Sequence, residues 1–256
     1  MTPKEMAAAF REQLGLGDAP IRDLPALIAT GTRVDVAVMN MPAGLDGMTR
    51  KDPESEAFIV AVATTDNPER QRFSLAHELG HILFGDFETD ASTVHATGPN
   101  ETRAHDFARH FLAPVEGVRR VVDSLPGAGP ETLTSAVVQH YGVSPMPALI
   151  QLQAVGAITA GDRASLSSTT SQTLATRFGW SEERAAQIAD SQRPQPPQTI
   201  VAAATRAYAD GKLSLRILAR LRGVTDIPAL EAELAAAGML PVPQSLERPQ
   251  IDVDDW

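Results

Sequence analysis

The sequence contains no cysteine, which excludes disulfide bonds and thiolate metal ligands. Any metal site in this chain must therefore use histidine and carboxylate side chains. The length of 256 residues is enough for one or two domains with a hydrophobic core. The hydrophobic fraction of 43% is ordinary for a globular protein.

Long apolar runs and an excess of positive charge are missing too. No apolar stretch approaches the roughly 20 residues that a membrane-spanning helix needs. Charged residues at Lys4, Glu5, Arg11 and Glu12 interrupt the first segment, so no secretion signal is expected. The net charge of −10 argues against direct binding of nucleic acid by the whole molecule. We therefore expect a cytoplasmic protein with no membrane contact.

The segment His77-Glu78-Leu79-Gly80-His81 has the pattern H-E-x-x-H. On a helix, residues four apart share one face, so the two imidazoles lie side by side as two ligands of a tetrahedral metal ion. Glu78 then lies close enough to take a proton from an attacking water, and the pattern is typical of zinc peptidases. The alternative for so short a motif is a polar helix face that binds no metal.

The residues around this motif predict a helix. Asn67 followed by Pro68 is typical of a helix start, and Gly85 is typical of a helix end. Leu75 and Leu79 belong to an apolar stripe at helical spacing, with the two histidines roughly opposite. Histidines on a covered helix need partners, because an unpaired buried polar group is costly. A metal ion provides that partner.

A third ligand is expected from a later segment, because Phe84 and Phe87 occupy the positions of Gly and His in the extended motif. Glu101 is the best candidate, since it lies three residues before Ala104 and continues the apolar stripe of the next predicted helix. A carboxylate at the head of a buried face needs a cation or another partner. The alternative is a first-turn acid that complements the helix dipole. Weaker candidates follow in an irregular stretch: Asp86, Glu88, Asp90 and His95.

A family resemblance rests on these segments. The run from Arg70 to His81, followed by Glu101, Ala104, Phe107-Ala108 and Leu112-Ala113-Pro114, resembles the ImmA/IrrE family of metallopeptidases. These are bacterial and phage gluzincin-like proteins, and their known members cleave DNA-binding repressors and so switch on mobile-element or stress genes.

The resemblance implies specific roles for the residues of the motif. His77, His81 and Glu101 would bind Zn²⁺, and Glu78 would be the catalytic base. The substrate would be a helix-turn-helix transcriptional repressor.

This chain departs from the family pattern at one position. Relatives often carry Asn or Asp directly after the matching alanine, where this chain has His105 and then Asp106. Such a side chain orients a ligating histidine, so His105 or Asp106 is the candidate for that role. The oxyanion of the reaction also needs a hydrogen-bond donor. The candidates for it are His105, His110, Arg72 and Tyr141.

The order of elements predicts an α+β fold, with a zincin-like core in residues 1–118. Alternation at Val34, Val36 and Val38 predicts one strand, and the apolar run 58–63 predicts another. We expect a small antiparallel sheet packed on the active-site helices. An edge strand at 44–50 or 57–63 would hold an extended peptide by strand addition, or the sheet only covers the helix.

Helices dominate the rest of the predicted chain. Residues 119–190 contain a helix-turn-helix-like pair, but no Lys or Arg lies between Glu131 and Gly161, which favours packing or protein recognition over DNA binding. The Pro-rich residues 191–198 predict a linker, and 199–256 predict a small helical module with an acidic tail. The cations of this module form either a solvated helix face or a docking surface: Arg206, Lys212, Arg216, Arg220 and Arg222.

Together these features predict a zinc-dependent, site-specific endopeptidase that cleaves a repressor. One alternative is a non-catalytic regulatory protein that binds a repressor or DNA through its C-terminal helices. The other is a structural zinc site, with His95 or His105 as a fourth protein ligand. We favour the peptidase because Glu78 is in place and the sequence offers no obvious fourth ligand.

Overall fold

A computed structural model describes residues 1–52, 56–86 and 98–241. The chain divides into two compact units, Met1–Gln195 and a second unit that begins at Pro196. In chain order, the elements of the first unit are α1 (Pro3–Gln13), α2 (Leu24–Gly31), β1 (Val34–Met39), β2 (Gly47–Lys51), β3 (Phe58–Ala63), α3 (Pro68–Phe84), α4 (Pro99–Leu112), α5 (Val115–Asp123), α6 (Pro130–Tyr141), α7 (Pro145–Ala154), α8 (Ala160–Ser165), α9 (Ser171–Phe178) and α10 (Ser181–Ser191). The predicted α+β class is confirmed.

The three strands form a mixed sheet in the order β1-β3-β2. The central strand β3 pairs parallel with β1 and antiparallel with β2. The predicted antiparallel sheet is therefore correct for β2 and β3 and wrong for β1 and β3. The strand order follows from the polarity of the strands. β3 carries the fully buried Val60 and Val62 and lies at the centre of the sheet, between β1 and β2, whereas the polar β2 lies at an edge.

The helix α3 begins and ends where the sequence predicts. The side chain of Asn67 accepts a hydrogen bond from the backbone N–H of Arg70, and Pro68 lies in the first turn. Gly85 ends the helix with a φ of 69°, in the left-handed region that favours glycine. These boundaries place His77 and His81 one turn apart on the same helix.

Helices α3 and α4 approach each other closely at Gly80. A Cβ atom at Gly80 would lie 3.1 Å from Cδ1 of Phe107 and 3.3 Å from Cα of Ala104. Both of these neighbours are fully buried. The absence of a side chain at Gly80 therefore lets the two helix backbones meet, and this brings the first turn of α4 up to the histidines of α3.

The helices that follow α4 pack in the same unit as the sheet. A buried ion pair between Arg184 and Glu69 joins α10 to the first turn of α3. The hydroxyl of Ser191 donates to the carbonyl of Thr65 at 2.8 Å. Gln195, which lies in the predicted linker, pairs with Val38 of β1 in an isolated bridge. The end of this segment is thus fastened to the sheet and to α3.

The second unit has a core of its own. It contains α11 (Gln198–Ala209), α12 (Leu215–Arg222) and α13 (Ile227–Ala236). Two of its predicted cations are paired, Lys212 with Asp210 and Arg222 with Glu233. The predicted acidic tail lies outside the described residues. The buried residues of this core are Tyr208, Leu218, Ala219, Leu230 and Leu234.

Among the described residues, no helix is both long enough and apolar enough to cross a membrane.

The packing at Gly80 predicts that a large side chain there separates the two helices. We expect Gly80→Leu to lower the free energy of unfolding by about 2–3 kcal/mol, because the buried contact with Phe107 has no room for four more carbon atoms. Gly80→Ala is the matched control, since its tight contact is offset by a gain in helix propensity of about 1 kcal/mol. Urea denaturation of both variants measures the difference, and equal stability of Gly80→Leu and wild type would contradict the prediction.

Candidate metal centre

Three donor atoms from α3 and α4 converge at the crossing of these helices. The Nε2 atoms of His77 and His81 are 3.0 Å apart. The carboxylate of Glu101 lies 3.1 Å from Nε2 of His77 and 3.2 Å from Nε2 of His81. A tetrahedral zinc ion with bonds of roughly 2.0–2.2 Å separates its ligand atoms by about 3.4 Å. The observed triangle is therefore close to the size that such an ion needs.

No other described His, Asp or Glu contributes a donor atom to this group. His105 is near but is not a member, and His95 lies outside the described residues. Within the described residues the group therefore consists of three protein donors, two imidazole nitrogens and one carboxylate oxygen.

The protonation of His77 suits a metal ligand. Its burial, together with the nearby His81 and His105, lowers the pKa of His77 to about 3. The imidazole is therefore uncharged at neutral pH, and one ring nitrogen has a free lone pair. Two imidazole nitrogens at 3.0 Å beside one carboxylate are well satisfied by a shared cation, so the donor set fits a metal ion.

Asp86 holds the second histidine in place. Its Oδ1 lies 3.0 Å from Nδ1 of His81, and its other oxygen accepts a hydrogen bond from Arg103. The guanidinium of Arg103 in turn lies over the ring of Phe84, 4.5 Å from its centroid. A carboxylate on Nδ1 fixes the tautomer in which Nε2 is free to bind a metal. Asp86 therefore orients a donor and is not itself part of the donor group.

From the sequence, Asp86 is only a weaker candidate ligand, and no periodic pattern indicates that it contacts His81. The turn at Gly85 folds the chain back, so that the backbone N–H of Asp86 donates to the carbonyl of His81 at 3.1 Å. The sequence signal for this turn is the glycine that ends the helix, and Asp86 follows it directly.

Glu78 projects from α3 towards the edge strand β2. Its Oε2 accepts a hydrogen bond from Oγ1 of Thr49 at 2.6 Å. Burial raises the pKa of Glu78, and the hydrogen bond from Thr49 and the nearby His81 act in the opposite direction. A carboxylate with a raised pKa beside metal donors is suited to accept a proton and to release it later.

Of the predicted supporting residues, His105 lies next to the donors. Its ring centroid is 4.6 Å from that of His77 and 5.3 Å from that of Phe73, and its side chain is exposed. Asp106 instead pairs with Arg109 at 2.6 Å. The remaining α4 candidate, His110, has Nδ1 3.2 Å from the side-chain amide of Gln151.

Arg72 and Tyr141 are engaged in hydrogen bonds to backbone carbonyls. Arg72 donates to Ile21 at 2.7 Å and to Gly142 at 3.1 Å, and burial lowers the pKa of Arg72 to about 10. Tyr141 donates to the carbonyl of Asp18 at 3.1 Å, and burial raises its pKa to about 12. In this structure both side chains thus donate hydrogen bonds to backbone carbonyls of other segments, so neither is available as an oxyanion donor.

Part of the chain is similar to known proteins. The IrrE N-terminal-like domain of the peptidase M78 family matches residues 32–152. This segment of the chain is therefore similar to the ImmA/IrrE family of metallopeptidases. The matched residues run from β1 to α7 and include every donor atom of the centre, Glu78 and Thr49.

A curated relative in this family is the radiation response metalloprotease IrrE of Deinococcus radiodurans. The two sequences are 42% identical over 85 residues. This match covers 32% of the present chain and 23% of the length of the relative. The similarity thus concerns a limited part of both proteins.

The contact between Asp86 and His81 predicts a loss of metal affinity when the carboxylate is removed. We expect Asp86→Ala to weaken zinc binding by about 10- to 100-fold, because Nδ1 of His81 loses the group that fixes its tautomer. Competition with a chromophoric chelator measures the affinity. Asp106→Ala is the matched control, since that carboxylate pairs with Arg109 and should leave the affinity unchanged. Equal affinities of the two variants would contradict the role of Asp86.

Proposed function

We propose that this protein is a zinc-dependent endopeptidase. The observation that carries the proposal is a half-buried carboxylate, Glu78, beside a group of three protein donors. Catalytic zinc sites have three protein ligands and an open position, whereas structural sites have four. Two imidazoles and a carboxylate are also a donor set that zinc accepts. The match of residues 32–152 to a metallopeptidase domain supports hydrolysis of a peptide bond.

In this proposal, His77, His81 and Glu101 hold the zinc ion, and Asp86 keeps His81 in the required tautomer. Zinc bound there supplies a Lewis acid, which lowers the pKa of water and polarises the scissile carbonyl. Glu78 accepts a proton from the attacking water at its carboxylate. It then delivers this proton to the leaving nitrogen as the C–N bond breaks.

The proposed donor to the oxyanion is His105. Its ring is exposed and lies beside His77, whereas Arg72 and Tyr141 are committed to backbone carbonyls. A donor to the oxyanion must face the substrate and remain free to contact it. His105 is the predicted candidate whose surroundings satisfy both conditions.

The substrate peptide is proposed to bind along β2. This strand lies at an edge of the sheet, and its Thr49 contacts Glu78 directly. An extended peptide that adds to an edge strand gains main-chain hydrogen bonds, and here it would pass beside the catalytic base. The central position of β3 removes the other predicted edge, residues 57–63, from consideration.

The physiological substrate that we propose is a helix-turn-helix transcriptional repressor, cleaved in the cytoplasm to derepress stress-response or mobile-element genes. The family resemblance supports this choice, as does the name of the relative, a radiation response metalloprotease. The net charge of −10 supports a protein substrate over direct contact with nucleic acid.

The proposal predicts cleavage that depends on Glu78. We would mix the zinc-loaded protein with the helix-turn-helix regulator encoded by a neighbouring gene and measure intact masses. The wild type should give one discrete pair of fragments. Glu78→Gln should lower the rate by about 10²–10⁴-fold, because the proton acceptor is lost, while zinc remains bound.

Three other outcomes have distinct meanings. Loss of zinc from Glu78→Gln would make Glu78 a ligand and contradict its role as the base. Unchanged cleavage by this variant would contradict the mechanism. The third outcome is a stable complex with the regulator that yields no fragments, although the wild type and Glu78→Gln both contain zinc. This result would support the non-catalytic regulatory alternative.

A further inference from the structure

We propose that Thr49 and Gly47 of β2 form a cradle that positions the carboxylate of Glu78. Thr49 is then a positioning residue for the hydrolysis, although it contributes no atom to the metal centre. This inference deepens the proposed function and rests on it.

The two residues of the cradle each face a different oxygen of Glu78. Thr49 donates its hydroxyl to Oε2 at 2.6 Å. A Cβ atom on Gly47 would lie 3.3 Å from Oε1 and 3.3 Å from Cγ of Glu78, which is tighter than an ordinary contact. Gly47 and Thr49 are two residues apart on a strand and therefore face the same side of the sheet. One residue thus holds one oxygen, and the other leaves space for the second.

The cradle is anchored on the core of the protein. In the antiparallel pairing of β2 with β3, Gly47 lies opposite Val62 and Thr49 lies opposite Val60. Both valines are fully buried. Thr49 is also β-branched, which restricts its first side-chain torsion. Its hydroxyl therefore has a defined position relative to the helix that carries Glu78.

This arrangement has a direct consequence for a proton acceptor. A carboxylate on a flexible side chain samples several orientations, and only some of them direct an oxygen at the attacking water. The bond from Thr49 occupies Oε2 and stops the group from rotating. Oε1, above the bare backbone of Gly47, is left to accept and release the proton. Preorganisation of this kind acts on the chemical step and not on the binding of substrate.

A purely structural role of Thr49 would produce a different pattern of effects. The hydroxyl would then only satisfy a half-buried carboxylate, and its loss would lower stability without a specific change in turnover. The test must therefore separate the orientation of Glu78 from stability, and the turnover number from the Michaelis constant.

The experiment compares Thr49→Val, which removes the hydroxyl at nearly constant shape, with Thr49→Ser, which keeps it. Thr64→Val is the matched control, because Thr64 donates a hydroxyl bond of 2.6 Å to Asn40 on the surface. The first readout needs no activity. In protein labelled with ¹³C in glutamate side chains, the Glu78 carboxylate signal is identified by its absence from Glu78→Gln. We expect this signal to shift in Thr49→Val and to stay in place in Thr49→Ser and Thr64→Val.

The second readout is steady-state cleavage by the zinc-loaded proteins. We expect Thr49→Val to lower kcat by roughly 10- to 100-fold with KM unchanged, as for the loss of a hydrogen bond to a charged group. Thr49→Ser should recover most of this loss. Gly47→Ala should lower kcat as well, with zinc affinity unchanged, because its Cβ would lie only 3.3 Å from Oε1 and Cγ of Glu78 and so shift the carboxylate by a few tenths of an ångström.

Several results would overturn the inference. They are an unshifted Glu78 signal in Thr49→Val, an effect on KM alone, or equal impairment of the Val and Ser variants. A neutral Gly47→Ala would remove Gly47 from the cradle. If the wild type cleaves no substrate, the proposed function fails, but the carboxylate signal still decides whether Thr49 holds Glu78.

Discussion

The close contact of α3 with α4 at Gly80 is the constraint on which the proposed metal centre depends. Each helix alone offers an incomplete site, two imidazoles on one and a single carboxylate on the other. The close crossing at Gly80 brings the carboxylate of Glu101 to about 3 Å from both imidazole nitrogens. The buried Ala104 and Phe107 make this crossing rigid, because interiors are close-packed. The packing of the hydrophobic core thus fixes the relative positions of the three donor atoms.

Around the donors, two further contacts come from segments outside the crossing. Asp86, in the turn after α3, aligns His81, while Thr49 of the edge strand holds Glu78. Each contact constrains the orientation of one side chain of the site. The sheet therefore does more than cover the helix, since its polar edge strand reaches the proposed catalytic base directly.

Local signals predicted the helices well and the contacts between elements poorly. Helix caps and periodicity are properties of neighbouring residues, so the boundaries of α3 and the stripe leading to Glu101 can be deduced from the sequence. The parallel pairing of β1 with β3 depends on which strand lies at the centre of the sheet. The alternation of apolar residues along a strand does not indicate the order of the strands. The contacts of Asp86 and Thr49 arise from a helix-ending turn and a strand edge, where no periodic pattern exists. The ring of His105 on α4 likewise contacts Phe73 and His77 on α3 only because the two helices pack together.

The central claim is that three side chains from two helices bind one zinc ion and leave one position open. Crystals of the zinc-loaded protein, with anomalous diffraction measured on both sides of the zinc absorption edge, test it most directly. The account predicts one zinc per chain, bound by His77, His81 and Glu101 at roughly 2.0–2.2 Å, with a fourth ligand that is not a protein side chain. A fourth protein ligand such as His105, or zinc bound without Glu101, would contradict it.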